Sequence, residues 1–235
     1  MTVDDTSSLS LDRIEPLAVL SPEVRADIAR LCSWKRFGPH EQIIDRQSDT
    51  RDLLFLVRGS VRVVIYSVSG RELTLDDLKE GAFLGELSAI DGHPRSASVM
   101  SLTETVIASL SAEHFRRLLA QHSDFAMMVM KRLASMVRAS TDRIIDLSTL
   151  GANNRVHAEL LRQARLAGER DDGSAILKPI PVHGDMASRV STTRETVARV
   201  LNDLARQGLV RRERDALVIV DLARLEEMVE EVRGE

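Results

Sequence analysis

The sequence predicts an α+β protein in which a β-rich block, one long helix and a C-terminal helical part follow one another along 235 residues. Three observations support this prediction: short β-rich runs between glycines from about Ser33 to Leu110, a stretch from about Asp124 to Leu147 without glycine or proline, and paired amphipathic patterns from His183 to Asn202. The chain is long enough for two domains, each with its own hydrophobic core.

The β-rich block contains five runs of strand-forming residues, EQIIDR, DLLFLV, SVRVVIYSV, RELTLDDL and SASVMSL. Short strands at regular spacing, with glycines between them, favour a small antiparallel barrel or sandwich. Within the block, the segment Ser67-Val68-Ser69-Gly70-Arg71 has the composition of a hairpin turn. Apolar residues at helical spacing predict one helix on each side of the block, over Pro22–Leu31 and Ala112–Leu119.

The segment from Asp124 to Leu147 predicts one helix of about 24 residues. Its apolar positions, together with one serine, follow the 3, 4, 3, 4, 3 spacing of a two-stranded coiled coil: Met130, Leu133, Val137, Ser140, Ile144 and Leu147. This spacing predicts a homodimer, and an amphipathic helix that packs on its own domain is the alternative. Ser140 and its neighbour Thr141 weaken such a seam unless they meet a polar partner.

Beyond the long helix, Gly151–Asn154 interrupts the helical pattern and predicts a hinge. We expect an amphipathic helix over Arg155–Ala167, then a surface loop, GERDDGSA, and a short strand over Leu177–Val182 that contains two prolines. After Gly208, the run LVRRERDALVIVD predicts a β-hairpin.

Composition and charge limit the classes of function. Hydrophobic residues make up 43% of the chain and charged residues 29%, which is typical of a globular protein. No apolar run approaches the roughly 18 to 20 residues of a membrane span, and the polar start does not resemble a signal peptide, so we expect a cytoplasmic protein without a membrane partner. The single cysteine, Cys32, excludes an internal disulfide, and the scattered histidines show neither metal-ligand spacing nor a nucleophile-base set. No catalytic or metal site is predicted.

The charge distribution favours a local contact with duplex DNA. A net charge of −4 argues against a protein that coats nucleic acid over its whole surface. Between Arg189 and Arg214, however, seven arginines stand against three acidic residues. One Trp, one Tyr and five Phe are too few to form stacking platforms for single strands, so duplex DNA is the expected partner.

Residues 81–99, GAFLGELSAIDGHPRSASV, combine the groups that a sugar-phosphate ligand needs. Gly85 permits close approach of the backbone, and the residues after it can open a helical turn whose free N–H groups face an anion. A guanidinium such as that of Arg95 binds phosphate through two parallel hydrogen bonds, and a carboxylate such as that of Glu86 accepts from a ribose hydroxyl. The candidate nucleotide-binding residues are Gly85, Glu86, Leu87, Ser88, Arg95, Ser96 and Ala97. An ion pair between Glu86 and Arg95 across a surface loop is the alternative.

Residues 183–202, HGDMASRVSTTRETVARVLN, have the spacing of a helix-turn-helix. Their apolar and small positions give each helix a buried face: Met186, Ala187 and Val190 in the first, and Val197, Val200 and Leu201 in the second. Arginine and glutamate on the outer face of the second helix suit the edges of guanine and cytosine, and threonines at its start suit phosphates. The candidate DNA-binding residues are Thr192, Thr193, Arg194, Glu195, Thr196 and Arg199. Ser191 stands where the turn usually has glycine.

Two motifs resemble sequence motifs of the CRP/FNR family. GELS at 85–88 followed by PRSA at 94–97 is similar to the phosphate-binding cassette of the family's cyclic-nucleotide-binding domains, with a loop one residue shorter than in its best-known member. The resemblance implies that Gly85 and Glu86 face the ribose and that Arg95 and Ser96 hold the cyclic phosphate. It also implies that the paired hydroxyls at 140 and 141 meet the base, one of them across the dimer.

The second motif, TRETVARVL at 193–201, is similar to the family's recognition helix. It places Arg194, Glu195 and Arg199 at the base-reading positions and implies a palindromic site with half-sites like TGTGA.

The resemblance covers about Leu20 to Asp221 and implies a jelly-roll-like β-roll as the sensor domain (1–122), a dimerisation helix and hinge (123–150) and a winged helix-turn-helix (151–235). It implies a regulator, not an enzyme, that binds cAMP or cGMP and then duplex DNA as a homodimer, with RNA polymerase as a further partner. A family member answering cyclic di-GMP or a haem-bound gas, and a cyclic-nucleotide regulatory subunit of an enzyme or channel, are the alternatives.

Overall fold

The computed structural model describes residues 10–68, 70 and 72–233, which form two compact units that divide between Ser135 and Met136. The helices are a 3-10 helix, Glu15–Val19, and α1 Pro22–Leu31, α2 Glu86–Asp91, α3 Ala112–Gln121, α4 Ser123–Thr149, α5 Ala152–Ala167, α6 His183–Arg189, α7 Arg194–Arg206 and α8 Leu222–Arg233. The strands are β1 Ser33–Phe37, β2 Gln42–Ile44, β3 Leu53–Arg58, β4 Ser60–Tyr66, β5 Glu72–Lys79, β6 Phe83–Leu84, β7 Ser98–Ser101, β8 Thr105–Leu110, β9 Ala175–Leu177, β10 Val210–Arg212 and β11 Leu217–Ile219.

The first unit contains two four-stranded antiparallel sheets, in the strand orders β1-β8-β3-β6 and β2-β7-β4-β5. The predicted α+β fold with an N-terminal β-roll is confirmed. In the hairpin β4–β5, Tyr66 pairs with Glu72, and the Gly70 N–H donates to the Ser67 carbonyl oxygen at 2.9 Å. The other two polar residues of the predicted turn, Ser69 and Arg71, lie outside the described residues.

Two capped helices flank these sheets, as the sequence predicts. The Ser21 hydroxyl accepts from the Val24 N–H at the start of α1, where Pro22 occupies the first turn. Ser111 caps α3 in the same way through the His114 N–H. Because each cap satisfies a backbone donor that the helix itself cannot, these serines fix where the helices begin.

The long helix α4 extends by one residue at its start and two at its end beyond the predicted range. Its first turns pack on the core of the first unit, with Phe125 and Val129 buried and Leu133 partly buried. The other apolar seam residues are exposed, by 51% at Met130, 66% at Val137, 64% at Ile144 and 41% at Leu147. Packing on its own domain therefore accounts for the first turns and leaves most of the predicted seam uncovered.

The second unit packs helices α5 to α8 against a three-stranded antiparallel sheet in the order β10-β11-β9. The predicted hairpin after Gly208 is confirmed as β10 and β11. The prediction of a hinge over 151–154 was too long, because α5 begins at Ala152 and only Leu150 and Gly151 lie between the helices. The predicted strand over 177–182 was also wrong: β9 ends at Leu177, since the prolines that follow lack the N–H that a sheet requires. Among the described residues, no helix is long and apolar enough to cross a bilayer.

Candidate functional site

The candidate nucleotide site is built around the start of α2. Strand β6 leads into Gly85, which caps the helix with a φ of +83°. A Cβ at this position would lie 2.5 Å from Arg95 Nη1 and 3.0 Å from the Asp52 carbonyl oxygen. Both the left-handed backbone and the close approach of the guanidinium therefore require glycine at position 85.

Arg95 is held by three neutral oxygens of the first unit. Its Nε donates to Thr50 Oγ1 at 3.2 Å, Nη1 to the Gly85 carbonyl oxygen at 3.1 Å and Nη2 to the Asp52 carbonyl oxygen at 2.9 Å. The residue is 4% exposed. Burial lowers the pKa of its guanidinium, and the negative charges of Asp52 and Glu86 act in the opposite direction. Since a guanidinium has five N–H donors and stays protonated in proteins, Arg95 keeps its positive charge and two donors for an anion.

Glu86, the first residue of α2, is 5% exposed. Burial raises the pKa of its carboxyl, while a hydrogen bond from its own backbone and the charges of Arg132 and Arg95 act to lower it. The alternative of a surface ion pair is wrong, because Glu86 and Arg95 are both buried. A buried carboxylate close to a buried guanidinium offers an acceptor and a cationic donor to one polar ligand.

The other residues of the predicted site fall into three groups. Ser88 and Ala97 are buried, whereas Leu87 and Ser96 are exposed. Ser140 and Thr141 belong to the second compact unit and are exposed on α4, with the Thr141 hydroxyl donating to the Val137 carbonyl oxygen at 3.0 Å. A contact between these two hydroxyls and a nucleotide base stays a prediction.

Sequence reasoning missed Thr50 and Asp52, which fix the guanidinium of Arg95. They lie 45 and 43 residues before it in the chain, and Asp52 acts through its backbone carbonyl. No side-chain motif marks a backbone acceptor, so only the strand pairing that brings β3 beside β6 reveals this contact.

The candidate DNA site is the helix-turn-helix of α6 and α7. Met186, Ala187, Val197 and Val200 are buried as predicted. Ser191 takes the left-handed conformation, with a φ of +52°, which explains why glycine is usual at this position of the turn.

The predicted base-reading side chains are on the outer face of α7, where Arg194, Glu195 and Arg199 are all exposed. Thr193 caps this helix, its hydroxyl accepting from the Thr196 N–H at 3.2 Å. A hydrogen bond from its own backbone, and then one from the Thr193 hydroxyl, lower the pKa of Glu195, which keeps its carboxylate an acceptor. Of the predicted residues, Thr192 and Thr196 are partly buried.

The two arginines of this surface have different neighbours. Arg199 Nη2 donates to Asn153 Oδ1 at 3.4 Å. The guanidinium of Arg194 makes no side-chain hydrogen bond within the part of the chain that is described, and it lies over Gly184, where a Cβ would be 2.9 Å from its Nε. All five donors of Arg194 therefore remain available.

Comparison with known proteins identifies the two domains in which these residues lie. Residues 34–122 match the cyclic nucleotide-binding domain, and residues 154–228 match the Crp-like helix-turn-helix domain. The Cyclic AMP receptor protein of Thermus thermophilus is 33% identical over 210 residues, which cover 89% of this chain and 94% of that protein. The cAMP-activated global transcriptional regulator CRP of Salmonella typhimurium is 29% identical over 182 residues, 76% of this chain and 85% of that protein. A solved structure of a CooA variant from Carboxydothermus hydrogenoformans has a TM-score of 0.80 at 20% identity, covers 91% of this chain and 94% of its own, and shows the fold alone.

The fold and the two matched domains define a class of protein in which a cyclic-nucleotide-binding domain precedes a helix-turn-helix DNA-binding domain. Similarity over nearly the whole length then gives the family: the chain belongs to the CRP/FNR family of transcription regulators.

Proposed function

We propose that this chain is a homodimeric transcription regulator that binds cAMP at the site of Arg95 and Glu86 and then binds a palindromic duplex with half-sites like TGTGA. The observation that carries the proposal is the buried guanidinium of Arg95, which is fixed by neutral acceptors and so keeps its charge for a phosphate. Glu86 is the acceptor for a ribose hydroxyl, and Ser96 adds a hydroxyl donor to the phosphate.

The exposed seam of α4 supports the homodimer. Four apolar side chains spaced at coiled-coil intervals are between 41% and 66% exposed in the isolated chain. A second copy of the helix is the partner that the 3, 4 spacing fits. In such a dimer Ser140 lies in the seam with Thr141 beside it, and a nucleotide base edge supplies a polar partner for their hydroxyls.

The surface of α7 supports sequence-specific binding. Arg194 and Arg199 have the donors that guanine O6 and N7 accept, and Glu195 has the acceptor that the cytosine amino group requires. A two-fold dimer places two such helices in major grooves one helical turn apart, about 34 Å. RNA polymerase is the partner through which DNA binding changes transcription.

The test is calorimetric titration of the purified chain with cAMP, cGMP and cyclic di-GMP, with linear 5′-AMP as the control ligand. We expect cAMP to bind with one site per chain and 5′-AMP to bind far more weakly, because the site fits a cyclic phosphodiester. If cGMP binds with similar affinity, the proposed site stands and its ligands include both cyclic nucleotides. Tight binding of cyclic di-GMP with no binding of cAMP contradicts the proposal.

A further inference from the structure

The turn of the helix-turn-helix is held by two arginines that belong to neither of its helices. Arg143, near the end of α4, donates from Nη2 to the carbonyl oxygen of Arg189 at 2.6 Å. Arg155, in the first turn of α5, donates from Nε to the carbonyl oxygen of Val190 at 2.8 Å and from Nη2 to that of Ser191 at 3.2 Å. Three consecutive carbonyl groups, at the end of α6 and in the turn, therefore each accept from a guanidinium.

Arg155 also binds the end of the long helix. Its Nη1 donates to the carbonyl oxygen of Leu150, the residue after α4, at 2.9 Å. Because a guanidinium is planar and its donors keep a fixed geometry, this one side chain fixes the end of α4 relative to the turn that precedes α7. The neighbouring Arg143 is partly buried, and burial lowers the pKa of its guanidinium.

The carbonyl groups that these arginines bind belong to a strained turn. Ser191 has a φ of +52°, a conformation that residues other than glycine adopt only at an energetic cost. The last carbonyl groups of α6 also form the negative end of its helix dipole, which a positive charge stabilises. Arg143 and Arg155 thus stabilise a turn that Ser191 on its own disfavours.

We infer that Arg143 and Arg155 are positioning residues for DNA recognition, through which α4 sets the orientation of the turn and of α7. The inference rests on the proposed function, because α4 also carries Ser140 and Thr141, the predicted contacts of the nucleotide base. In this inference, the hydrogen bonds of Arg143 and Arg155 carry the effect of a bound nucleotide from α4 to the recognition helix.

The experiment measures, by fluorescence anisotropy, the affinity of the whole chain for a TGTGA palindrome at saturating cAMP. We expect Arg155→Gln to weaken binding at least about tenfold, as for the loss of charged hydrogen bonds. Arg143→Gln should weaken it less, since Arg143 binds one carbonyl group at the turn, whereas Arg155 binds two there and that of Leu150 as well. Arg155→Lys should fall between Arg155→Gln and the wild type. The base preference within the half-site should not change, because no base-reading side chain is altered.

Two further variants separate positioning from loss of folding. Ser191→Gly relieves the turn, so in the Arg155→Gln background it should recover about threefold or more of the DNA affinity. Arg165→Gln removes an arginine from the same helix α5 whose partner is Glu226 at the surface, and it should bind DNA like the wild type.

The outcomes are distinguishable. If Arg155→Lys keeps the wild-type unfolding midpoint and binds DNA with wild-type affinity, the inference is overturned, and it is overturned as well if Arg165→Gln weakens DNA binding as much as Arg155→Gln. cAMP affinity, measured by calorimetry, should be the same in all variants. A wild-type chain that binds neither cAMP nor the duplex contradicts the proposed function itself.

Discussion

The two sites of this chain use arginine in opposite ways. In the first unit, Arg95 is 4% exposed and its guanidinium donates to three oxygens of the protein. In the second unit, Arg194 is exposed, and its guanidinium lies over Gly184 without a side-chain hydrogen bond among the described residues. One guanidinium is held by the protein itself, and the other lies exposed at the surface.

The difference fits the ligands that we propose for the two arginines. A small cyclic ligand loses little freedom on binding, so a rigid site increases affinity by reducing the entropy cost. A DNA-reading arginine must distinguish one base edge among many sequences. An exposed guanidinium can become ordered when it makes the correct bidentate contact with that base. We therefore expect substitutions at Arg95 to affect both stability and binding, and substitutions at Arg194 to affect binding alone.

The largest expected effect is that of Arg95→Ala. It removes the phosphate's charged partner, which costs about 2 to 5 kcal/mol of cAMP binding, at least about 30-fold in affinity. It also removes the Arg95 donors from the carbonyl oxygens of Asp52 and Gly85, the second of which keeps the Ala89 N–H, and this costs about 1 to 3 kcal/mol of unfolding free energy. Calorimetry and urea unfolding measure the two effects. Arg117→Ala is the matched control, because Arg117 pairs with Glu113 at the surface of the same unit. Equal cAMP affinity in the Arg95 and Arg117 variants contradicts the assignment.

At the DNA site, Arg194→Ala should cost about 1 to 3 kcal/mol of binding and relax the preference at one base pair. Its unfolding free energy should stay within about 0.5 kcal/mol of the wild type, because the side chain is exposed and makes no hydrogen bond to the residues that the structure describes. Anisotropy with a set of single-substituted half-sites measures the preference. A variant that loses affinity equally for every half-site makes Arg194 a phosphate contact instead of a base contact.

A smaller effect concerns Glu86 and pH. Burial raises the pKa of its carboxyl above the ordinary value of 4.5, so the folded chain binds this proton more tightly than the unfolded chain. The group therefore favours folding below its ordinary pKa and opposes folding as the pH rises through the raised value. Glu86→Gln cannot ionise, so its stability relative to the wild type should increase from about pH 4 to neutral. Urea unfolding across this pH range measures the difference in unfolding free energy between Glu86→Gln and the wild type. The control is Glu113→Gln, which alters an exposed residue. A stability difference that is constant with pH contradicts this prediction.

The smallest expected effect is that of Gly184→Ala. The added Cβ would lie 2.9 Å from Arg194 Nε, and a flexible side chain can move away from it. We expect a loss of DNA affinity of less than about 1 kcal/mol, with helix stability unchanged or slightly increased. The same substitution in the Arg194→Ala background should have no effect on DNA affinity. A loss of the same size in both backgrounds shows that Gly184 acts independently of Arg194.

Sequence patterns predicted most of this architecture because hydrophobic periodicity and capping residues are local signals. The bounds of α1 and the hairpin β10–β11 follow from such signals. The strand β9 was misplaced because the apolar run continues past Leu177 into prolines, where the ladder has to stop. Residues 85–88 and 94–97 marked the nucleotide site, but its supporting contacts come from the Thr50 hydroxyl and the Asp52 carbonyl oxygen, 45 and 43 residues before Arg95, where no motif marks them.

We propose that a cyclic nucleotide bound beside Arg95 strengthens DNA binding by α7. The anisotropy of a labelled TGTGA palindrome, titrated with the wild-type chain in the absence and in the presence of saturating cAMP, tests this coupling. We expect cAMP to raise the DNA affinity at least about fivefold, which lies in the lower range of allosteric coupling. A DNA affinity that is unchanged by saturating cAMP would rule this coupling out.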